Sequence, residues 1–308
     1  MNRIVVLTNP ASGHGTARHA AERAISRFQA RGVDVVALVG RDPAHARELV
    51  EGALERGMDA LVVVGGDGIV SLALQIVAQT WTPLGIIPAG TGNDHARAFG
   101  IPTGPEAAAD VVVDGETSTV DLGLITGADG TRRWFGTVMA AGFDSLVTDR
   151  TNRMRWPHGR MRYNLAMLAE ISQLRLLPFR LTFDGAEVQT QLTLAAFGNT
   201  RSYGGGMLIC PGADPTDGLF DVTMVASASR TRLVRLFPTV FKGTHVKLPE
   251  VTTRRAATIT VDCPGISPSM NAYADGEYVC PLPVELTVVP GALTVLRPAT
   301  GPATRPRG

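Results

Sequence analysis

The spacing of apolar positions divides the chain into two textures. Over about the first 115 residues, short β-branched runs alternate with longer segments whose apolar positions recur three and four apart. The runs at 3–8, 33–39, 60–64 and 84–87 predict strands; the segments from the first glycine cluster to about Arg31, at 44–56 and at 69–79 predict helices. Strands alternating with helices imply right-handed crossovers and a parallel sheet. The run Leu61 to Val64 has no polar alternation, as a strand buried on both faces requires.

After about Val113 the helical period largely disappears. Short β-rich runs follow at 119–125, 134–140, 179–183, 192–197 and 219–225, separated by Gly, Asp and Pro. They predict an antiparallel sheet or sandwich. Helical spacing returns at 163–177 and 230–241, and final strands are expected at 257–262, 272–274, 284–289 and 292–296. The expected organisation is an α/β domain over 1–120, an all-β domain over 121–297 and a Pro/Gly-rich tail over 298–308, expected to be disordered.

Three glycine-rich loops fall at the carboxyl ends of predicted parallel strands, where such sheets collect ligands. They read N-P-A-S-G-H-G at 9–15, G-G-D-G at 65–68 and P-A-G-T-G-N-D at 88–94, the last leading into 95–99. Glycine lets the backbone approach a ligand and turn its N–H groups to an anion, and a following helix adds partial positive charge. Three such loops on one sheet point to a nucleotide or another phosphate. Asp67 is the one acid in its turn, and an acid beside a phosphate serves a metal or a sugar hydroxyl. A tight turn with a solvated Asp is the plainer alternative.

Composition narrows the partners. A chain of 308 residues, 44% apolar, has room for two domains, and its net charge of +1 gives no reason to expect nucleic acid. Cys210, Cys263 and Cys280 lack metal-ligand spacing and read as buried or idle thiols in a reducing cytoplasm. The N-terminal apolar run is too short for a signal peptide, and no window reaches the roughly 18 apolar residues of a membrane span. A soluble cytoplasmic protein that touches a bilayer peripherally is expected. No G-x-S-x-G or G-x-x-x-x-G-K-[ST] occurs, and the six histidines, His95 among them, have no evident role.

The second half offers two acidic constellations. The segment 211–221 carries Asp214 and Asp217 three residues apart with an available carbonyl, hard oxygen ligands that suit Mg2+; a turn between strands would look the same. Asp275-Gly276-Glu277 sets two carboxylates about a glycine, where mutual repulsion raises one pKa and makes a better base; alone, it is a common turn. Arg150, Arg153, Arg155, Arg160 and Arg162, interleaved with Met154, Trp156, Met161 and Tyr163, fit a surface that meets anionic headgroups, or a solvated face.

With these motifs in order, the chain resembles the bacterial soluble diacylglycerol kinases, a lipid kinase family related to sphingosine kinases. The resemblance runs from residue 3 to about 297 and rests on N-P-A-S-G at 9–13, G-G-D-G at 65–68, P-A-G-T-G-N-D at 88–94, Y-G-G-G-M-L-I-C-P-G-A-D-P-T-D-G-L-F-D-V at 203–222 and D-G-E at 275–277. It implies an N-terminal phosphofructokinase-like α/β domain, a C-terminal β-sandwich, and active-site residues drawn from both. It implies nucleotide contacts from Asn9, Pro10, Ser12, Gly13, Gly65, Gly66, Asp67, Gly68, Thr91, Gly92 and Asn93, with Asp67 acting through Mg2+. It assigns a structural Mg2+ to Asp214, Asp217 and the carbonyl of Leu219, and the general base to Glu277 with Asp275 beside it. ATP and a membrane lipid are the implied substrates, and a homodimer is compatible with it.

The chain departs from the family pattern in places. Ile69 stands where a threonine is usual, Ser71 and Leu72 where Asn and Glu are, and Gly40 where a nucleotide-contacting threonine is. Those losses motivate an alternative, a catalytically impaired lipid-binding protein on the same scaffold. NAD kinase, which shares the G-G-D-G turn, is the other; the Ser/Thr-rich adenosine-binding run expected after residue 115 is missing.

Overall fold

The computed structural model describes residues 1–8, 16–142, 176–226, 232, 237–266 and 270–299. The first glycine-rich loop with Asn9, Pro10, Ser12 and Gly13 lies outside them. So do the basic cluster at 150–162, most of the helices expected at 163–177 and 230–241, and the tail from residue 300. The chain divides into two compact units, Met1–Val120 with Leu293–Gly308, and Asp121–Ala292.

In the first unit, strands β1 (Arg3–Thr8), β2 (Asp34–Val39), β3 (Ala60–Gly65) and β4 (Leu84–Pro88) form a parallel sheet in the order β2-β1-β3-β4. Helices α1 (Thr16–Ala30), α2 (Pro43–Glu55) and α3 (Asp67–Val77) make the crossovers, followed by α4 (Asp94–Ala98) and α5 (Pro105–Asp114). Every residue of β3 is buried, as its unbroken apolar run predicts, whereas the edge strand β2 is half exposed. The order reverses between β1 and β3, so the switch point of this sheet lies at their carboxyl ends, beside the G-G-D-G turn.

Helix α5, which the sequence reading does not anticipate, packs on α1 through charges at matched spacing. Arg27 Nε meets Asp110 Oδ1 at 2.7 Å, Arg31 bridges Asp110 and Asp114, and Arg23 pairs with Glu106. Each partner set repeats every four residues, so one face of each helix carries it. Among the described residues, no helix is long and apolar enough to cross a membrane.

The second unit is antiparallel. After β5 (Glu116–Gly127) come β6 (Arg132–Phe135), β7 (Val138–Gly142), β8 (Leu177–Phe183), β9 (Ala186–Leu192), β10 (Leu194–Gly198), β11 (Phe220–Val225), β12 (Val251–Ala256), β13 (Thr258–Asp262), β14 (Asn271–Ala274), β15 (Glu277–Pro281) and β16 (Val284–Arg297). One sheet runs β12-β11-β10-β7-β14-β15; in the other, β16, β13, β8 and β9 pair in that order. A common core including Phe135, Met139, Phe179, Leu181, Phe197, Phe220 and Leu286 joins them, with Phe135 stacked on Phe220 at 5.6 Å between centroids. Burial of this many large apolar side chains is the main stabilising term of the unit.

Three local expectations are revised. The strand expected at 134–140 is two, broken at Gly136-Thr137, whose N–H groups serve Asp275 instead of the ladder. The strands expected at 284–289 and 292–296 are one, β16, which passes through Pro290 and Gly291; the N–H of Gly291 is given to Asp121. Strands β9 and β12 were not expected. Both are sheet edges with exposed, polar outer positions, which hides the apolar alternation.

Candidate active site

The first unit brings two of the three glycine loops together. Ala89 N donates to Gly65 O at 2.8 Å, and the backbones of Gly66 and Gly90 approach closely. A Cβ on Gly90 would sit 2.4 Å from Gly66 Cα, and one on Gly66 would sit 3.1 Å from Gly90 Cα, so no side chain fits between the loops. Gly66 caps α3 without a side-chain acceptor, and the start of a helix favours an anion.

Asp67 opens α3 and is partly exposed. Its Oδ1 accepts the backbone N–H of His95 at 3.1 Å and the ring Nδ1 at 3.0 Å. Asn93, in the left-handed region at φ 52°, spends its amide on loop shape: Oδ1 accepts Gly90 N–H and Nδ2 donates to Gly90 O, both at 2.9 Å. Thr91 is exposed at the loop tip, and the carbonyl of Gly92 accepts from Arg97 at 3.1 Å.

One of the departures has a packing reason, and the others have a place in the fold. A Cβ on Gly40 would stand 2.6 Å from Ala46 Cβ, so the start of α2 occupies the space a threonine would need. Ile69 and Ser71 lie on the buried side of α3, and Leu72 is half-buried.

In the second unit, Asp275-Gly276 is the two-residue turn of the β14–β15 hairpin, with φ of 51° and 79° as a type I′ turn requires. Asp275 is buried, and its carboxylate accepts Gly136 N–H at 3.0 Å, Thr137 N–H at 2.8 Å and the Thr137 hydroxyl at 2.6 Å. Glu277 begins β15, and Arg133 on β6 pairs with its Oε2. Each carboxylate therefore has its own donors.

The acidic turn is built of nested side-chain turns. Asp214 Oδ1 accepts from Thr216 N at 3.1 Å and Thr216 Oγ1 at 2.7 Å; Asp217 Oδ1 accepts from Leu219 N at 3.1 Å. Arg255 on β12 pairs with Asp217 Oδ2 and, at 3.1 Å, with Asp221 Oδ2. Burial raises the Asp221 carboxyl above its ordinary value, and Arg255 opposes the rise. Two carboxylates and the Leu219 carbonyl fit a hard cation in kind, with Asp214 Oδ2 clear of hydrogen bonds among the described residues and Asp217 shared with Arg255. No group of three or more His, Cys, Asp or Glu that could hold a metal occurs among the described residues.

Buried polar residues that the motifs do not flag tie these pieces together. Asp121 accepts Gly218 N–H at 2.8 Å and Gly291 N–H at 2.9 Å, and its own N–H donates to Pro215 O at 2.7 Å, which pins the acidic turn to β5. Asn199 Nδ2 donates to Asp121 O and Gly136 O, both at 2.9 Å. Their partners lie far away in sequence, so only a buried polar residue in an apolar strand could have pointed to them. The three cysteines are buried and free, as the sequence suggests, with desolvation pushing the Cys210 thiol up to about 12.

Residues 3–125 match the diacylglycerol kinase catalytic domain, and residues 137–297 match the YegS C-terminal NAD kinase beta sandwich-like domain. The chain is 63% identical over 303 residues to a diacylglycerol kinase of Mycobacterium tuberculosis (strain ATCC 25618 / H37Rv), covering 98% of this chain and 97% of that one. It is 26% identical over 289 residues to a diacylglycerol kinase of Bacillus subtilis (strain 168), covering 92% and 93%. A solved structure from Bacillus anthracis str. Sterne superposes with a TM-score of 0.79 at 20% identity, covering 99% of both chains, a likeness of fold.

Proposed function

Because this chain belongs to the bacterial diacylglycerol kinase family and is thus a lipid kinase, we propose that it transfers the γ-phosphoryl group of ATP to the hydroxyl of diacylglycerol or a related lipid, with Mg2+. The products are ADP and phosphatidic acid or the analogous lipid phosphate. The observation that carries this reading is the contact of Gly66 with Gly90, which sets two glycine-rich loops and the start of α3, whose cap is a glycine, side by side, with Asp67 at their edge.

Phosphoryl transfer needs in-line positioning and charge neutralisation more than covalent help. In this reading the N–H groups of Gly65 to Gly68, with Thr91 and Gly92, receive phosphate oxygens, and Asn93 holds their loop in shape. Asn9, Pro10, Ser12 and Gly13 complete the nucleotide contacts. Asp67 would act through a Mg2+ beside the phosphates, and Asp214, Asp217 and the carbonyl of Leu219 would hold a structural one. Bound there, the metal supplies neutralisation of phosphate charge and rigidity of the turn.

Glu277 is the general base. Oε2 stays with Arg133, and Oε1, which has no partner among the described residues, accepts the proton of the lipid hydroxyl. The hydroxyl oxygen bonds to the γ-phosphorus as the bond to the bridging oxygen of ADP breaks. Asp275 fixes the turn that carries Glu277. Peripheral membrane contact follows from a substrate that resides in a bilayer, and homodimerisation belongs to the same reading.

The test is transfer of labelled phosphate from Mg·ATP to a panel of dispersed lipids. Labelled phosphatidic acid is expected. Label on sphingosine, ceramide or monoacylglycerol instead would move the substrate, and no label on any lipid with no calorimetric binding of Mg·ATP would favour the impaired scaffold.

A further inference from the structure

His95 is 1% exposed, and from the helix that follows one glycine loop it reaches the acid of the other. Its Nδ1 lies 3.0 Å and its backbone N 3.1 Å from the same atom, Asp67 Oδ1. A carboxylate offers only acceptors, so the ring nitrogen facing it carries the proton. Two donors from one buried residue leave that carboxylate oxygen a single position. They also couple the first residue of α3 to the second residue of α4, whose loops already touch at Gly66 and Gly90. Asp67 itself remains partly open, with 21% of its side chain exposed.

We propose that His95 is a positioning residue for Mg·ATP binding: through Nδ1–H and its backbone N–H it holds the Asp67 carboxylate in the orientation that the nucleotide and its cation meet. The inference rests on the nucleotide role proposed above for Asp67. A side chain free to rotate would lose that orientation on binding, and a buried imidazole removes the freedom beforehand. The ring contributes a hydrogen bond directed at one oxygen, and shape alone would not replace it.

The test is calorimetric titration of the full-length protein with Mg·ATP, with thermal unfolding recorded alongside, for the wild type, His95→Phe, His95→Asn, His95→Gln and Asp67→Ala. Loss of a hydrogen bond to a charged group predicts binding of the Phe variant weaker by about tenfold or more. Asn sets an amide donor near the place of Nδ1 and restores most of the affinity; Gln reaches toward the place of Nε2 and does not. A role in packing alone would shift the unfolding temperature without separating Asn from Gln in affinity. Wild-type affinity in the Phe variant, or equal affinity in the Asn and Gln variants, overturns the proposal. If the Phe variant does not fold, the contrast between Asn and Gln decides. Undiminished binding by Asp67→Ala would sink the nucleotide role itself. Weakened binding there with none in His95→Phe would sink only the inference about His95.

Discussion

Thr137 gives Asp275 Oδ1 two hydrogen bonds, from its N–H at 2.8 Å and from its hydroxyl at 2.6 Å. With Gly136 N–H on Oδ2, these donors lie at the break between β6 and β7, so the turn that carries Glu277 is fastened to that break. Asp275→Asn places an amide donor against backbone donors. It is expected to cost about 2–4 kcal/mol of stability, the range for a buried charged acceptor replaced. The value of kcat falls while KM for ATP holds, because the base loses alignment and the nucleotide loops are untouched. Denaturant unfolding and steady-state kinetics check both; unchanged midpoint and kcat would contradict the role.

Gly90→Ala drives a side-chain methyl to 2.4 Å from the backbone Cα of Gly66. The loops must separate, at a cost of roughly 1–3 kcal/mol as for other overpacked sites. Affinity for Mg·ATP weakens with it, read by calorimetry. A variant that binds Mg·ATP as the wild type does would show that the contact is incidental to the nucleotide.

Ile69→Thr restores the residue type usual in the family, but Ile69 is buried on α3. Replacing the ethyl branch by a buried hydroxyl costs about 1–3 kcal/mol. Stability is expected to fall with no gain in Mg·ATP affinity. A clear gain would mean that the side chain reaches the nucleotide.

These residues also mark how far the sequence is legible. The strands β1, β3 and β4 stand out because they are buried on both faces, and the glycine loops follow them at once. Edge strands β9 and β12 do not, since solvent selects polar side chains on their outer positions. Asp275-Gly276 is recognisable as a turn, yet its fastening to Thr137 crosses 138 residues, and the pairing of Arg133 with Glu277 crosses 144. His95 carries no local signal at all; its partner Asp67 becomes visible only when β3 and β4 lie side by side. Gly40 shows the reverse case, a departure in sequence whose cause is the neighbouring helix.

The ladder between α1 and α5 predicts acid sensitivity in the first unit. Hydrogen bonds from Arg27 hold the Asp110 carboxyl below its ordinary 3.8, as those from Arg31 do for Asp114. A carboxyl whose folded value is depressed contributes stability above its unfolded value and loses it as pH falls through the folded one. The contribution is thus complete at neutral pH and disappears below about pH 4. Because the pairs are largely exposed, the effect is small and weakened by salt. Thermal unfolding of Arg27→Met and wild type should differ at pH 7 and converge at acid pH; a gap independent of pH would contradict this.

The central claim is that Glu277 takes the proton of a lipid hydroxyl while the glycine loops hold ATP. Single-turnover transfer of labelled phosphate from Mg·ATP to dispersed diacylglycerol, comparing wild type with Glu277→Gln, tests it most directly. Gln keeps the size and removes the base, so the transfer rate should fall by about 10²–10⁴-fold, the usual contribution of a general base, with Mg·ATP affinity unchanged. A Gln variant that transfers phosphate at the wild-type rate would contradict the account.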